Sequence, residues 1–157
     1  MQSHSATWFL PDADATEGWG AALAQCPIWQ DLRQIHLLGG LGAGKTTLVR
    51  GLLHALGYRG TVRSPTYTLM EPYPLAQRHI LHFDLYRLMD PEELEFLGAR
   101  EMSDAQTLWL VEWPERGAGW LPRPDVRLIL TDWDAGRNLE LEGPAAADIL
   151  KQMNTLG

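Results

Sequence analysis

The chain is short of cysteine, of lysine, of long apolar runs and of basic charge, and each shortage excludes something. Cys26 is the only cysteine, so no intrachain disulfide can form, and a reducing cytoplasmic setting is the default expectation. Lys45 is the only lysine before Lys151, so no second lysine competes for any role that needs one in the first 150 residues. No run of about 18 apolar residues occurs, so no membrane-spanning helix is expected. Met1 to Ala6 is polar and lacks the charged-then-apolar plan of a signal peptide. The formal net charge is −7, which argues against stand-alone binding of nucleic acid, because gripping phosphates needs a basic footprint. A partner could still hold the nucleic acid.

What is present suits a folded domain. The 157 residues are 45% apolar, enough for one compact domain with a real core and too many for global disorder. No internal repeat, low-complexity tract or linker divides the chain, so residues 1–157 read as a single domain. Seven tryptophans, at 8, 19, 29, 109, 113, 120 and 133, are scattered and read mostly as packing residues.

Gly39-Gly40-Leu41-Gly42-Ala43-Gly44-Lys45-Thr46-Thr47 carries the strongest chemistry, because it fits G-x-x-x-x-G-K-[ST]. Backbone N–H groups must converge on a polyphosphate there, and glycine permits both close approach and positive φ. Lys45 is placed to reach the β- and γ-phosphates, and Thr46 to put a hydroxyl on Mg²⁺. Gln34 to Leu38 reads as a buried strand entering the loop. Thr47 to Leu56 reads as a helix leaving it, with Leu48, Val49, Leu52, Leu53 and Leu56 on one face and Gly57 as its C-terminal cap.

The rest of the chain alternates strand and helix. Ser5–Leu10 is expected as an edge strand ended by Pro11, and Ala15–Cys26 as a helix that starts from polar residues at Asp12–Thr16. Tyr58–Arg63 reads as loop or short strand. Thr66–Tyr73 favours extended structure, and His79–Phe83 returns as its hairpin partner. Asp90-Pro91-Glu92-Glu93 has the spacing of a capping box, and Gly98 can close the helix that follows. Leu108–Val111 is a continuous apolar run, as in a strand buried on both faces. Glu115–Trp120 reads as a turn or short helix. Val126–Thr131 and Asn138–Leu141 are expected as strands joined by a turn at Asp134-Ala135-Gly136, and Ala145–Met153 as a final helix. The alternation predicts an α/β layered fold of P-loop NTPase type, with a mostly parallel central sheet plus an antiparallel hairpin.

Ligands of such sheets bind at the carboxyl ends of strands. Two strands end there in an acid, Phe83 into Asp84 and Val111 into Glu112. Each acid could hold Mg²⁺ or position an attacking water. Thr66 stands where nucleotide switches carry a γ-phosphate-sensing threonine, although a threonine of high β-propensity would look the same. Arg63, Arg87 and Arg137 could neutralise phosphate, or could simply be surface residues. His82 and Asp84 alternate on one strand face, too few ligands for zinc, and His36 reads as a satisfied core histidine.

Taken together, Gly39–Thr47, Ser64-Pro65-Thr66-Tyr67-Thr68-Leu69, His82-Phe83-Asp84-Leu85-Tyr86-Arg87-Leu88, Pro91-Glu92-Glu93-Leu94-Glu95-Phe96 and Val111-Glu112-Trp113-Pro114 resemble the bacterial TsaE (YjeE) family, in family order and over the middle half of the chain. The resemblance implies a small ATPase of tRNA modification. It would act with TsaB and TsaD to make N6-threonylcarbamoyladenosine beside the anticodon, with the transfer itself belonging to TsaD. It implies ATP and Mg²⁺ as cofactors and tRNA as an indirect partner through the complex. It implies nucleotide contacts from Gly40, Leu41, Gly42, Ala43, Gly44, Lys45, Thr46 and Thr47, a switch role for Thr66, a site-shaping role for Trp113 and a nucleotide-side role for Arg137. Lys45, Asp84 and Glu112 would be catalytic, with Thr46, Asp84 and Glu112 serving the metal; Asp12–Thr16 would approach the adenine.

Three rivals make different demands. A P-loop small-molecule kinase is the main alternative, but it usually needs an Arg-rich lid, and none follows the loop. A GTP switch would carry Asp-x-x-Gly and Asn-Lys-x-Asp, and neither occurs. A non-catalytic interaction module would show no magnesium-dependent hydrolysis.

Overall fold

The computed structural model describes residues 6–156, so Ser5 of the expected first strand lies outside the described residues. Seven strands form one sheet in the order β1-β7-β6-β2-β5-β4-β3. They are β1 (Ala6–Leu10), β2 (Gln34–Leu38), β3 (Met70–Pro74), β4 (His79–Asp84), β5 (Leu108–Glu112), β6 (Val126–Trp133) and β7 (Gly136–Glu142). The central run β6-β2-β5-β4 is parallel. The edges are antiparallel: β1 and β7 on one side, and β3, hairpinned to β4, on the other. The α/β, mostly parallel architecture is therefore as expected, with a second antiparallel hairpin, β6–β7, added to the first.

The apolar sequence of the central strands follows from burial on both faces. Along β5, Leu108 and Leu110 enter one core and Trp109 and Val111 the other. Ile80 against Leu81 and Phe83 divides β4 in the same way. The first core is closed by helices α1 (Ala13–Leu23), α2 (Lys45–Ala55) and α4 (Ala146–Thr155), through Leu23, Leu48, Leu52 and Ile149. The second is closed by a 3₁₀ segment at Pro91–Leu97 and the short α3 (Ala99–Met102), through Leu94 and Ala99. In β6, which is parallel to β2 and antiparallel to β7, the buried Val126, Leu128 and Leu130 alternate with more exposed residues, the pattern of a strand with one solvated face.

Local chemistry explains where elements begin and end. The Asp90 capping box forms as expected, and Gly98 closes the segment in the left-handed region. The turn or short helix expected over Glu115–Trp120 is a 3₁₀ segment at Pro114–Gly117 followed by a turn through Trp120. Helix α1 differs from expectation at both ends. The Asp12 carboxylate caps Ala15 N–H at 2.8 Å and starts the helix at Ala13. Pro27 disfavours helical backbone at Cys26, which is extended at φ −78°, ψ 122°, so Cys26 lies outside the helix, buried all the same. Helix α2 begins at Lys45 rather than Thr47. The expected extended run from Thr66 is a turn as far as Leu69, closed by Leu69 N–H to the Pro65 carbonyl at 2.7 Å. Tertiary contacts to Asp84, described below, override the β-propensity of its threonines.

Candidate functional site

Strand β2 hands the chain to the glycine loop at the centre of the sheet. Gly42 and Gly44 adopt φ of +74° and +104°, which L side chains rarely take, and Leu48 N–H bonds the Gly44 carbonyl at 2.9 Å to begin α2. A cleft of about 390 Å³ opens over this loop, at the carboxyl ends of the parallel strands. Of the loop and site residues named from sequence, Leu41 through Thr47, Thr66, Asp84, Glu112, Trp113 and Arg137 line it, and Gly40 stands outside the lining. Asp12, Ala13 and Thr16 also line it; they belong to the capped start of α1 rather than to a loop. Arg63 and Arg87 do not.

Register brings the two acids together. Parallel pairing of β4 with β5 makes Asp84 and Glu112 cross-strand neighbours at their strand ends. Both are buried. Glu112 Oε2 accepts from the Thr46 hydroxyl at 2.9 Å and faces His82 Nε2 at 2.7 Å. Asp84 accepts from the Ser64 hydroxyl, from Thr66 Oγ1 at 3.3 Å and from the Tyr86 N–H at 3.0 Å. Thr66 is thus tied to the acid of β4 across 18 residues of chain.

Lys45 is buried, donates to the Gly39 carbonyl at 2.6 Å and lies over the Trp113 ring, 3.7 Å from its centroid. Burial pushes its pKa down, and the carboxylates of Glu112, Asp84 and Glu115 oppose that shift. Trp113 reaches this position from a left-handed backbone, φ 58°, ψ 50°, immediately after β5, and packs against Tyr86. Arg137 approaches the loop from β7. Its Nε donates to the Ala43 carbonyl at 2.6 Å and its Nη2 to the Gly42 carbonyl at 2.7 Å.

Two groups carried no role in the sequence reading. Ser64 joins Asp84, and His82 joins Glu112. The alternation of His82 with Asp84 was visible along the chain, whereas the partner on β5 was not.

The residues fit a magnesium–nucleotide group. Thr46, Asp84 and Glu112 offer only oxygen donors, which suit Mg²⁺. Three carboxylates, Asp12, Asp84 and Glu112, against Lys45 and Arg137 leave the cleft lining net negative, which suits a divalent cation. No cluster of three metal-ligating His, Cys, Asp or Glu residues occurs among the described residues. That is compatible with Mg²⁺, which is usually bound by one or two carboxylates together with phosphates and water.

A glycine loop between a central parallel strand and a helix, facing two strand-end acids, defines a P-loop nucleotide-binding α/β protein. The comparisons sharpen that class. The family model described as "Threonylcarbamoyl adenosine biosynthesis protein TsaE" matches residues 10–139. The tRNA threonylcarbamoyladenosine biosynthesis protein TsaE of Haemophilus influenzae is 44% identical over 140 residues, covering 87% of this chain and 89% of that one. The protein of the same name from Synechocystis is 42% identical over 121 residues, 74% of each chain. The crystal structure of Bacillus subtilis YdiB superposes with a TM-score of 0.75 over 99% of this chain and 98% of that one, at 22% identity, and so bears on the fold. The chain belongs to the TsaE family.

Proposed function

We propose that this chain, as one P-loop domain spanning residues 1–157, is the ATP-binding and ATP-hydrolysing subunit needed for N6-threonylcarbamoyladenosine modification of tRNA. It acts with TsaB and TsaD in the cytoplasm and supports turnover of the transferase complex. Family membership supports the pathway. The acidic net charge of −7 suits a subunit that meets tRNA through its partners. No helix among the described residues is long and apolar enough to cross a membrane.

The observation that carries the chemistry is the hydrogen bond from Thr46 to Glu112, 2.9 Å. It joins the end of the glycine loop to the end of β5, so the phosphate cradle and the acid are held as one unit. Loop N–H groups and Lys45 bind the phosphates. Thr46 donates its proton to Glu112, which leaves its oxygen lone pairs for a cation, and Asp84 offers a second oxygen site. Mg²⁺ when bound neutralises phosphate charge and orients the terminal phosphoryl group. Glu112 orients the attacking water, and Trp113 covers the ammonium end of Lys45. Asp12 and Thr16, which line the cleft, would approach the adenine.

The test is ATP hydrolysis by the purified chain, alone and with TsaB, TsaD and substrate tRNA, at varied Mg²⁺. Weak hydrolysis that rises with the partners, requires Mg²⁺ and disappears in Lys45→Ala is expected. Hydrolysis indifferent to the partners would remove the pathway role, and phosphate transfer to a metabolite would turn the reading to a small-molecule kinase.

A further inference from the structure

We infer that His82 is a positioning residue for the hydrolysis proposed above, acting through Glu112 and, beyond it, Thr46. The inference rests on that reading of the site.

His82 sits on β4, two residues before Asp84 and on the same face, with no solvent exposure. Its Nε2 lies 2.7 Å from Glu112 Oε2, the oxygen that also accepts from the Thr46 hydroxyl. Its Nδ1 is buried and has no hydrogen-bond partner among the described residues. That pair of facts fixes which nitrogen carries the proton. A proton on Nδ1 would be an orphaned buried donor and would leave the Nε2 lone pair facing a carboxylate oxygen. A proton on Nε2 avoids both, so the ring donates to Glu112.

The consequence falls on Glu112. A glutamate's last torsion is broad and two-fold, so a free carboxylate samples many orientations. Here Oε2 is held from two sides, by an imidazole N–H and by a hydroxyl. Oε1 accepts no hydrogen bond from the described residues, and Glu112 lines the cleft. The carboxylate therefore has one oxygen committed to the protein and one free to act. Because Oε2 is fixed, the Thr46 proton is also fixed, and its lone pairs stay available to a cation. His82 touches no cleft volume itself; it sets the aim of the two groups that do.

A purely structural histidine makes the opposite prediction. Replacing it with leucine would then remove the N–H that Glu112 accepts and cost stability, but the folded protein would keep its kcat.

The experiment compares the full chain with His82→Leu and His82→Gln, together with TsaB, TsaD and tRNA. It reads kcat and KM for ATP, and separately ATP binding in EDTA. Loss of a hydrogen bond that orients a metal-site ligand costs on the order of 10- to 100-fold in activity. His82→Leu is expected to lose that much kcat, with ATP affinity in EDTA changed by less than about twofold, because the loop and Lys45 hold the phosphates without Glu112. His82→Gln, whose amide N–H can reach the same oxygen, is expected to recover most of the loss. A readout independent of turnover is the ¹⁵N spectrum of the His82 ring, which should report the Nε2–H tautomer and shift in Glu112→Gln.

Parent-like kcat in His82→Leu would overturn the inference while leaving the ATPase reading intact. So would a loss of ATP affinity in EDTA that matches the loss in kcat, or an Nδ1–H tautomer. A parent chain that hydrolyses no ATP even with its partners would instead remove the ATPase reading, and the positioning role with it.

Discussion

Two glycines on facing helices should respond in opposite directions to the same substitution. Gly51 lies inside α2, where a Cβ would stand 1.9 Å from the Glu17 carbonyl oxygen and 2.7 Å from its carbon, both backbone atoms of α1. Gly18 lies inside α1, where a Cβ would meet nothing within 4 Å. Alanine in place of glycine in a helix interior gains about 1 kcal/mol of propensity. At Gly18 that gain is unopposed. At Gly51 the new methyl cannot push a flexible side chain aside; it must move a helix backbone by more than an ångström. Overpacking of that kind costs about 3 kcal/mol, the upper end of its usual range, so the net loss is about 2 kcal/mol. For a chain of this length each kcal/mol moves Tm by roughly 2–4 °C. Thermal and urea unfolding should therefore place Gly18→Ala about 2–4 °C above the parent and Gly51→Ala about 4–8 °C below it. The ATP affinity of Gly51→Ala should fall too, because α2 begins at Lys45 and carries Thr46 with it. A Gly51→Ala protein as stable as the parent would refute the claim that α1 and α2 meet backbone to backbone.

His36 and Arg137 offer two further tests. Burial first, and then the nearby Arg127 charge, bring the His36 pKa down from 6.5 to about 4. As pH falls through that interval the unfolded chain binds a proton that the folded chain refuses, so stability is full above about pH 6.5 and declines toward pH 4, by on the order of 3 kcal/mol in all. Urea unfolding at pH 7 and pH 4.5 should show His36→Leu losing clearly less stability on acidification than the parent; equal losses would mean that His36 does not resist protonation. Arg137→Lys cannot make both guanidinium bonds to the Gly42 and Ala43 carbonyls, and ATP affinity should fall about tenfold, the worth of one net charged hydrogen bond. Asp132→Ala should change it little, because Asp132 meets Arg137 in solvent, 85% exposed. An Arg137→Lys affinity equal to the parent's would show that the loop holds its shape without the clamp.

What the chain made legible was what depends on neighbours in sequence. The glycine loop between a buried strand and a helix, the capping box at Asp90, the return of His79–Phe83 as a hairpin strand and the strand-end acids are each read from a short stretch of chain. The pairings across the sheet were not legible in the same way. Ser64 with Asp84, His82 with Glu112 and Arg137 with the loop carbonyls are separated by 20, 30 and 94 or 95 residues, and each depends on which strands lie side by side. Arg78 left no signal either. It is buried and donates to the carbonyls of Trp29, Leu32 and Gln106, a structural use that nothing in its flanking residues announces. The extended backbone expected from Thr66 failed for the same reason: propensity was local, and Asp84, which decides the turn, is distant.

The strand order explains why these distant groups converge on one loop. β2 is flanked by β5 on one side and β6 on the other. From the β5 side Glu112 takes the Thr46 hydroxyl, at the helix end of the loop. From the other side, the β6–β7 hairpin delivers Arg137 to the Gly42 and Ala43 carbonyls, in the body of the loop. A carbonyl engaged from behind turns the same peptide's N–H the opposite way. At the Ala43 carbonyl the arginine therefore helps aim the Gly44 N–H, while the Ala43 N–H is held within the loop by the Gly40 carbonyl at 3.1 Å and the glutamate fixes the hydroxyl beside them. Neither contact lies within the loop's own sequence. A glycine-rich loop is by composition the most mobile stretch of a chain, and the conformational entropy it loses on ordering is large. Side chains anchored on flanking strands supply the order that the loop cannot supply for itself, and that is why the antiparallel hairpin at the edge belongs to the site as much as the parallel core does.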